Sequence, residues 1–436
     1  MKPFKTLSIL FIITLNFTSI ISFPESKSNQ KNRSLQDKPK FGFIFLHDEQ
    51  STYDKNFYDS AKEICERLNV EPVFKFNVPE SEECYNTAKE LAKNGCIGIF
   101  ADSFGHEDYI IRAAKEFTNV QFAQATGTKA HTEKLLNFHN VFASIYEGRY
   151  VTGIAAGMKL AEMVSNGEIE KEEALVGYIG AYPYAEVVSG YTAFYLGVKS
   201  VCNYAKMIVR YTYSWYDEEE EAIAARNLID KDKCKMISQH ADSQGAPKVC
   251  EEKKVPNIFY NIENKELTNS YLVSSKINWN IFFEYFITSV KNGNEMDYDW
   301  VGHLSDNAVT VYEASSLAAP NTQDKMNEAI DSLKNGKLKV FDISKFTVDG
   351  KKIESYKADV DTGENFEVDT EAISDGYFHE SEYRSAPYFD LRIDGITEIF
   401  DDEDDDTNNN LIETLIILGS FIPLTVLLIA LLRKCC

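Results

Sequence analysis

FGFIFLHDEQSTYDKNFYDSAKEICERLNVEPVFKF, residues 41–76, decides the fold class. Its opening run, Phe41–Leu46, is apolar and of strand length, and Val73–Phe76 at its end is a second such run. Between them Phe57, Ala61, Ile64, Cys65 and Leu68 recur at spacings of three and four, which places them on one stripe of a helix near 54–68. Strand, helix, strand in this order predicts a parallel sheet, because right-handed crossovers lay each helix on a sheet face.

The same order continues outward. Ile97–Ala101 and Val120–Ala125 read as the next strands, each followed by a helical pattern. After about Tyr146 the pattern restarts, with Leu175–Gly180, Met207–Tyr211, Cys234–Ser238 and Asn257–Asn261 as strands. Weaker signals follow at Val309–Tyr312 and in a helix near Lys325–Lys334. A chain of 436 residues, 44% hydrophobic and 26% charged, has the composition of a globular protein and the length of more than one domain. The expectation is an α/β protein of two lobes, each with its own parallel sheet and with a crevice at the carboxyl ends of the strands.

Both ends read as targeting segments. Lys2 and Lys5 precede the apolar stretch Leu7–Ile21, the pattern of a secretory signal peptide over 1–23. Leu415–Leu432 carries no charge and is long enough to cross a bilayer core of about 30 Å at about 1.5 Å per residue. The acidic run Asp401–Asp406 lies on one flank and Arg433 and Lys434 on the other, so the C-terminus faces the cytoplasm in a single-pass type I arrangement. A buried helix and a lipid-anchor signal are the rival readings of this segment. The predicted organisation is a lead-in over 24–38, a first lobe of 39–145 with 264–303, and a second lobe of 146–263 with 304–397. An acidic linker over 398–413, a transmembrane helix over 414–432 and a tail over 433–436 complete it.

A net charge of −23 repels phosphate backbones and argues against nucleic-acid partners. Cys65, Cys84, Cys96, Cys202, Cys234 and Cys250 are an even set, three in each half, and in an oxidising compartment they predict one to three disulfides within lobes. None has CxxC spacing, and the sequence offers no metal site and calls for no cofactor. Asn32-Arg33-Ser34 is a glycosylation sequon.

The loops after the strands carry the candidate ligand groups: Ser103 and Phe104 after the third, Thr126 and Gly127 after the fourth. In the second half they are Tyr182, Trp215 and Asp217, then Asp242, then Asn261. Aromatic faces beside carboxylates and amides suit a flat polar ligand. Each residue has a plainer reading beside it. Phe57 lies on the apolar stripe of its helix, Trp215 fits a lobe core, and Asp217 and Asp242 fit helix N-caps.

Seven motifs now stand in order: ADSFG (101–105), AKEFTNVQFAQATG (114–127), YEGRYVTGIAAG (146–157), GYIGAYPYAEV (177–187), SWYDEEEEAIAA (214–225), QHADS (239–243) and KINW (276–279). Together they resemble the basic membrane protein family of bacterial substrate-binding proteins, whose members include purine nucleoside receptors. The resemblance runs from Lys38 to Gly395. It implies a periplasmic-binding-protein-like fold of two Rossmann-like lobes, with hinge crossings near 141–146, 259–266 and 301–312, and ligand held between the lobes. Phe57 resembles the family's base-stacking aromatic, with Tyr53 its rival in another register. Thr126 stands where nucleoside-binding members have an aspartate, and Val187 where some have a second stacking phenylalanine. Asn261 falls in the region of a further ligand aspartate, and Lys276 near the binding lysine. These departures weaken ribose recognition and favour a free nucleobase or another small planar ligand within an expected class of purine nucleobase or nucleoside, with Trp215, Asp217, Asp242 and Trp279 as additional lining.

The expected function is that of a membrane-anchored binding protein or receptor for a small planar ligand, at the cell surface or in an endomembrane lumen, working with a partner membrane transporter or receptor. No catalytic residues are assigned. The rivals are a nucleoside-hydrolysing enzyme acting at Asp217 and Asp242, and a structural or adhesive protein whose cleft has decayed. The sequence has no GxSxG, Walker loop or GxGxxG, and His379-Glu380 lacks the second histidine of HExxH.

Overall fold

The apolar run that opens the decisive stretch becomes β1 (Lys40–Ile44), and the stripe behind it becomes α1 (Thr52–Arg67), capped by Ser51, whose side chain accepts from the Asp54 amide. The computed structural model describes residues 38–360 and 370–400. The chain continues through β2 (Glu71–Lys75), α2 (Glu82–Lys93), β3 (Cys96–Ala101), α3 (Glu107–Glu116), β4 (Gln121–Ala125), a single turn α4 (Ala130–Glu133) and β5 (Phe138–Ala143). The second half runs α5 (Ile145–Ser165), β6 (Leu175–Gly180), α6 (Ala185–Val201), β7 (Lys206–Tyr211), α7 (Glu218–Arg226), β8 (Met236–Gln239), α8 (Gly245–Lys253), β9 (Asn257–Tyr260) and β10 (Tyr271–Ile277). Then come α9 (Trp279–Asn292), β11 (Asp299–Gly302), β12 (Val309–Val311) and α10 (Thr322–Lys334). Four two-residue strands follow, β13 (Lys357–Ala358), β14 (Thr370–Glu371), β15 (Ile373–Ser374) and β16 (Tyr377–Phe378), and β17 (Ile396–Ile399) ends the described chain.

Two sheets result. The first has the order β11-β5-β4-β3-β1-β2 and is parallel throughout. The second has the order β12-β10-β9-β8-β6-β7-β17, parallel except for β12, which runs antiparallel to β10. Both share a five-strand centre in which the first strand of the half lies between the second and third, so the architectural repeat read from the sequence is real at the level of topology.

The chain passes between the sheets three times: from β5 to α5 at Ser144, from β10 to α9 at Asn278, and from β11 to β12 over 303–308. The second crossing corrects the expected one near 259–266. Residues 271–277 extend the second sheet by pairing with β9, and do not belong with the first lobe.

The helix layers of the two halves are built differently. In the first, α1 meets α9 through aromatic rings: Phe57 stacks on Trp279 at 4.2 Å, and Phe100 and Phe283 close the stack. In the second, α5 and α6 touch backbone to backbone. A Cβ on Gly153 would lie 2.1 Å from the Phe194 carbonyl oxygen, and one on Gly197 would lie 2.0 Å from that of Tyr150. Only glycine admits that approach.

The expected disulfides are not found. All six described cysteines are free and buried. They pack as small hydrophobes, and burial pushes Cys65 and Cys234 up to about 12 and Cys96 to about 11. None of the described helices is long and apolar enough to cross a membrane. The signal peptide, Asn32, most of the linker, the segment 414–432 and the tail lie outside the described residues.

Candidate functional site

The carboxyl ends of β1, β3 and β4 in one sheet and of β6 to β9 in the other deliver side chains to one cavity. About 420 Å³ of space, part of it open to solvent, lies among Leu46, His47, Tyr53 and Asp54, then Ser103, Phe104 and Thr126, and from the second half Glu186, Trp215, His240, Asp242 and Tyr260. Three other hollows among the described residues are larger, but none gathers the loops after β1, β3 and β8.

Carboxyl groups dominate its chemistry. Asp54 opens α1 and is buried, which alone would push its pKa up, yet bonds from the His47 ring, the Ser51 hydroxyl (2.6 Å) and the His47 amide (2.8 Å) hold it below its ordinary range. Asp102, just behind, goes the other way: burial first, and then the neighbouring Asp54 charge, raise it well above a normal carboxylate. Two buried carboxyls in contact resist carrying two charges, so the pair titrates as a unit with Asp102 the harder member to ionise. His106 backs this pair, with Nδ1 3.8 Å from Asp102 and Nε2 2.9 Å from the Val78 carbonyl, and burial keeps it neutral. Across the cavity Asp242 is raised well above its usual value by burial, then by Asp54, Glu221 and Glu186.

His240 fills the floor between sheet and helix. Its Nδ1 is 3.2 Å from the Tyr178 hydroxyl and its Nε2 3.5 Å from Glu186, while burial lowers its pKa and keeps the ring uncharged. Thr126 holds φ at 65°, a left-handed conformation that a β-branched residue rarely adopts, and its hydroxyl donates to the Ala125 carbonyl at 2.6 Å. Strain of this kind collects where a loop must bring its backbone to a ligand. The halves meet at the cavity wall: the Thr52 amide of α1 donates to the Asp242 carbonyl at 2.9 Å.

Of the residues singled out from the sequence, Tyr53, Ser103, Phe104, Thr126, Trp215 and Asp242 line this cavity. Phe57 and Trp279 do not. They are sealed in the aromatic stack between α1 and α9, with at most 1% exposure. Gly127 is also outside, its Cα packed so closely on Asn140 and Gln124 that a Cβ would lie 2.0 Å from each. Tyr182 stands behind Trp215, at 5.5 Å, and stacks on Tyr184. Asp217 is the N-cap of α7, accepting from the Glu219 and Glu220 amides. Asn261 lies one step back, with its Nδ2 3.4 Å from Asp242. Lys276 sits half-buried on β10, where desolvation lowers its pKa and its nearest charges are Asp59 and Glu63. Sequence reasoning missed Leu46, His47, Asp54, Glu186, His240 and Tyr260. His240 and Glu186 lie inside quoted motifs, and Tyr260 ends a recognised strand.

Residues 44–345 match the family described as ABC transporter substrate-binding protein PnrA-like. A purine-binding protein of Brucella abortus is 36% identical over 225 residues, which is 50% of this chain and 59% of that protein. A protein of Haloferax volcanii named as an ABC transporter glucose-binding protein is 28% identical over 250 residues, 57% of this chain and 60% of its own. The chain thus spans about three fifths of the length of these curated relatives. Among solved structures, solute-binding proteins from Aeropyrum pernix and Conexibacter woesei share the fold. Their TM-scores are 0.59 and 0.57 at 12% and 16% identity, over 70% and 69% of this chain and 93% and 98% of theirs. With two parallel sheets, a cavity at their facing strand ends and a family model matched over most of its length, the chain belongs to the PnrA-like family of ABC transporter substrate-binding proteins.

Proposed function

We propose that the chain is a binding protein for a small planar ring, a purine base or a close analogue, which it holds without chemical change between its two halves. The observation that carries this reading is the lining of the cavity, where aromatic residues from opposite sheets, Tyr53 and Trp215, frame a space edged by Asp54, Glu186 and Asp242. A ring can lie against such faces while its edge meets the carboxyl groups. The Brucella relative, named as purine-binding, supports the same class. Thr126 offers a hydroxyl already bonded to its own backbone where a sugar-addressing carboxylate stands in nucleoside binders, which favours the free base. Each half would move as a unit about the three crossings to admit and enclose the ligand.

The apolar segment 414–432 with its basic flank supports anchoring of this binding unit outside the cytosol, and family membership supports hand-over to a partner membrane transporter. Membership of a substrate-binding family supports binding without turnover over hydrolysis.

Calorimetric titration of the full-length protein in detergent with adenine, hypoxanthine, adenosine and glucose tests this directly. The bases are expected to bind stoichiometrically and to be recovered intact. Heat from glucose alone would replace the purine reading with a sugar one, and release of free base from adenosine would replace binding with catalysis.

A further inference from the structure

The cavity's hydrogen bonds are unevenly committed. On the first-sheet side the polar groups that line the cavity are occupied, while Asp102 Oδ2 and His106 Nδ1 behind them have no hydrogen-bond partner among the described residues. The Tyr53 hydroxyl donates to the Asp102 carbonyl at 2.9 Å, the Ser103 hydroxyl to Glu80 at 2.5 Å, and Asp54 is filled by Ser51 and His47. On the second-sheet side His240 is shared between Tyr178 and Glu186. Two buried groups that line the cavity remain on this side. The Tyr260 hydroxyl has no partner among the described residues, although the residue is only 2% exposed. Asp242, 4% exposed, receives a single long bond from Asn261 at 3.4 Å. Buried polar groups without partners are costly and point to a bond made with something else.

We propose that Asp242 and Tyr260 are the specificity-determining pair of the cavity, the two groups that read the edge of a bound ring. This rests on the reading of the cavity as a site for a planar heterocycle. The ring of Tyr260 is fixed from beneath: the guanidinium of Arg149, wholly buried on α5, is centred 3.6 Å over it and donates to the Gln239 carbonyl at 3.0 Å. Tyr260 therefore presents its hydroxyl from a held position. Asp242 is enclosed with Asp54, Glu186 and Glu221 and forms no ion pair with Arg149, the one cation acting on it. Burial, then the neighbouring Asp54, Glu221 and Glu186, push its pKa well above the ordinary range, which favours the neutral form. A neutral carboxyl offers one O–H donor beside one C=O acceptor. Its complement is a ring edge with an N–H next to a bare nitrogen or oxygen, as on 6-aminopurine and 6-oxopurine. A charged or doubly donating edge fits it less well.

The pair makes a distinctive forecast. Asp242→Asn keeps one donor and one acceptor at the same place, so affinity for adenine should stay within about threefold of wild type. Asp242→Ala should lose tenfold or more, and Tyr260→Phe about tenfold, since each leaves a ligand group unpaired. 6-Dimethylaminopurine keeps the ring face but has no N–H at that edge, and should bind at least tenfold more weakly than adenine. Calorimetry on the full-length protein reads all four, with thermal unfolding of each variant alongside; if Asp242→Ala does not fold, the asparagine variant and the dimethylated probe still decide. Adenine binding in wild type that is lost equally in Asp242→Asn and Asp242→Ala, or unchanged in Asp242→Ala and Tyr260→Phe, overturns the pair while leaving the purine reading intact. Absence of binding by any purine to wild type overturns both.

Discussion

The two halves solve the same topology with opposite materials. Where α1 meets α9 the contact is a stack of large rings, Phe57 on Trp279 at 4.2 Å, whereas α5 and α6 meet through Gly153 and Gly197 with no side chain between them. The difference reaches the cavity. Behind the aromatic seam, Tyr53 and Asp54 project from α1 with their bonds completed inside their own half. The glycine seam instead holds α5 close enough to drive Arg149 under Tyr260, leaving ligand-facing groups open. One half supplies a finished wall and the other the open valences.

Breaking the glycine seam should have the largest effect. A side chain at Gly197 meets a backbone oxygen that cannot step aside, so Gly197→Val is expected to cost more than about 4 kcal/mol and to leave little folded protein by circular dichroism. The aromatic seam should be softer: Phe57→Ala opens a cavity and should cost about 3–5 kcal/mol in denaturant unfolding, with ligand affinity nearly unchanged in whatever remains folded. Unchanged stability with lost affinity would return Phe57 to the ligand. Trp215→Ala should show the converse, about 1–3 kcal/mol of binding lost and little stability.

A pH scan sharpens the contrast further. Burial raises Glu380 to about 8 and Glu147 and Glu221 to about 7. Because the folded-state values lie above the unfolded ones, their contribution is complete below about pH 4 and is lost as pH rises through 7 to 8. The melting temperature should therefore fall between pH 6 and pH 8.5, and Glu380→Gln should flatten part of that slope. The smallest effect belongs to Asp217→Ala, a lost N-cap worth about 1 kcal/mol with no change in binding.

The parallel order of the sheets was legible because β1, β3, β6 and β7 are near-continuous apolar runs. β5 and β10 escaped because polar residues interrupt them, and those residues are buried only through partners the sequence does not show. Asn140 in β5 donates to Glu107 at 3.0 Å, and Ser274 in β10 to the Ile262 carbonyl at 2.7 Å. Missing β10 displaced the second crossing. At the site, loops after strands were the right place to look, but side-chain type misled within them. Phe57 has the stripe position that its packing fulfils, and Asp217 the cap position that its bonds fulfil. Asp54 and Glu186 resembled first-turn acids of ordinary helices, and Tyr260 an ordinary strand end. What separates them is the cavity that the two halves fold around them, a property of the three-dimensional arrangement.

The six single thiols carry a practical consequence. With no cross-link among the six described cysteines, a reducing agent breaks no bond of the described fold, which should form alike in a reducing cytoplasm and on secretion. These six thiols are shut away in the folded state and become free to pair wrongly when the chain unfolds. Reductant therefore belongs in refolding buffers and is dispensable in storage.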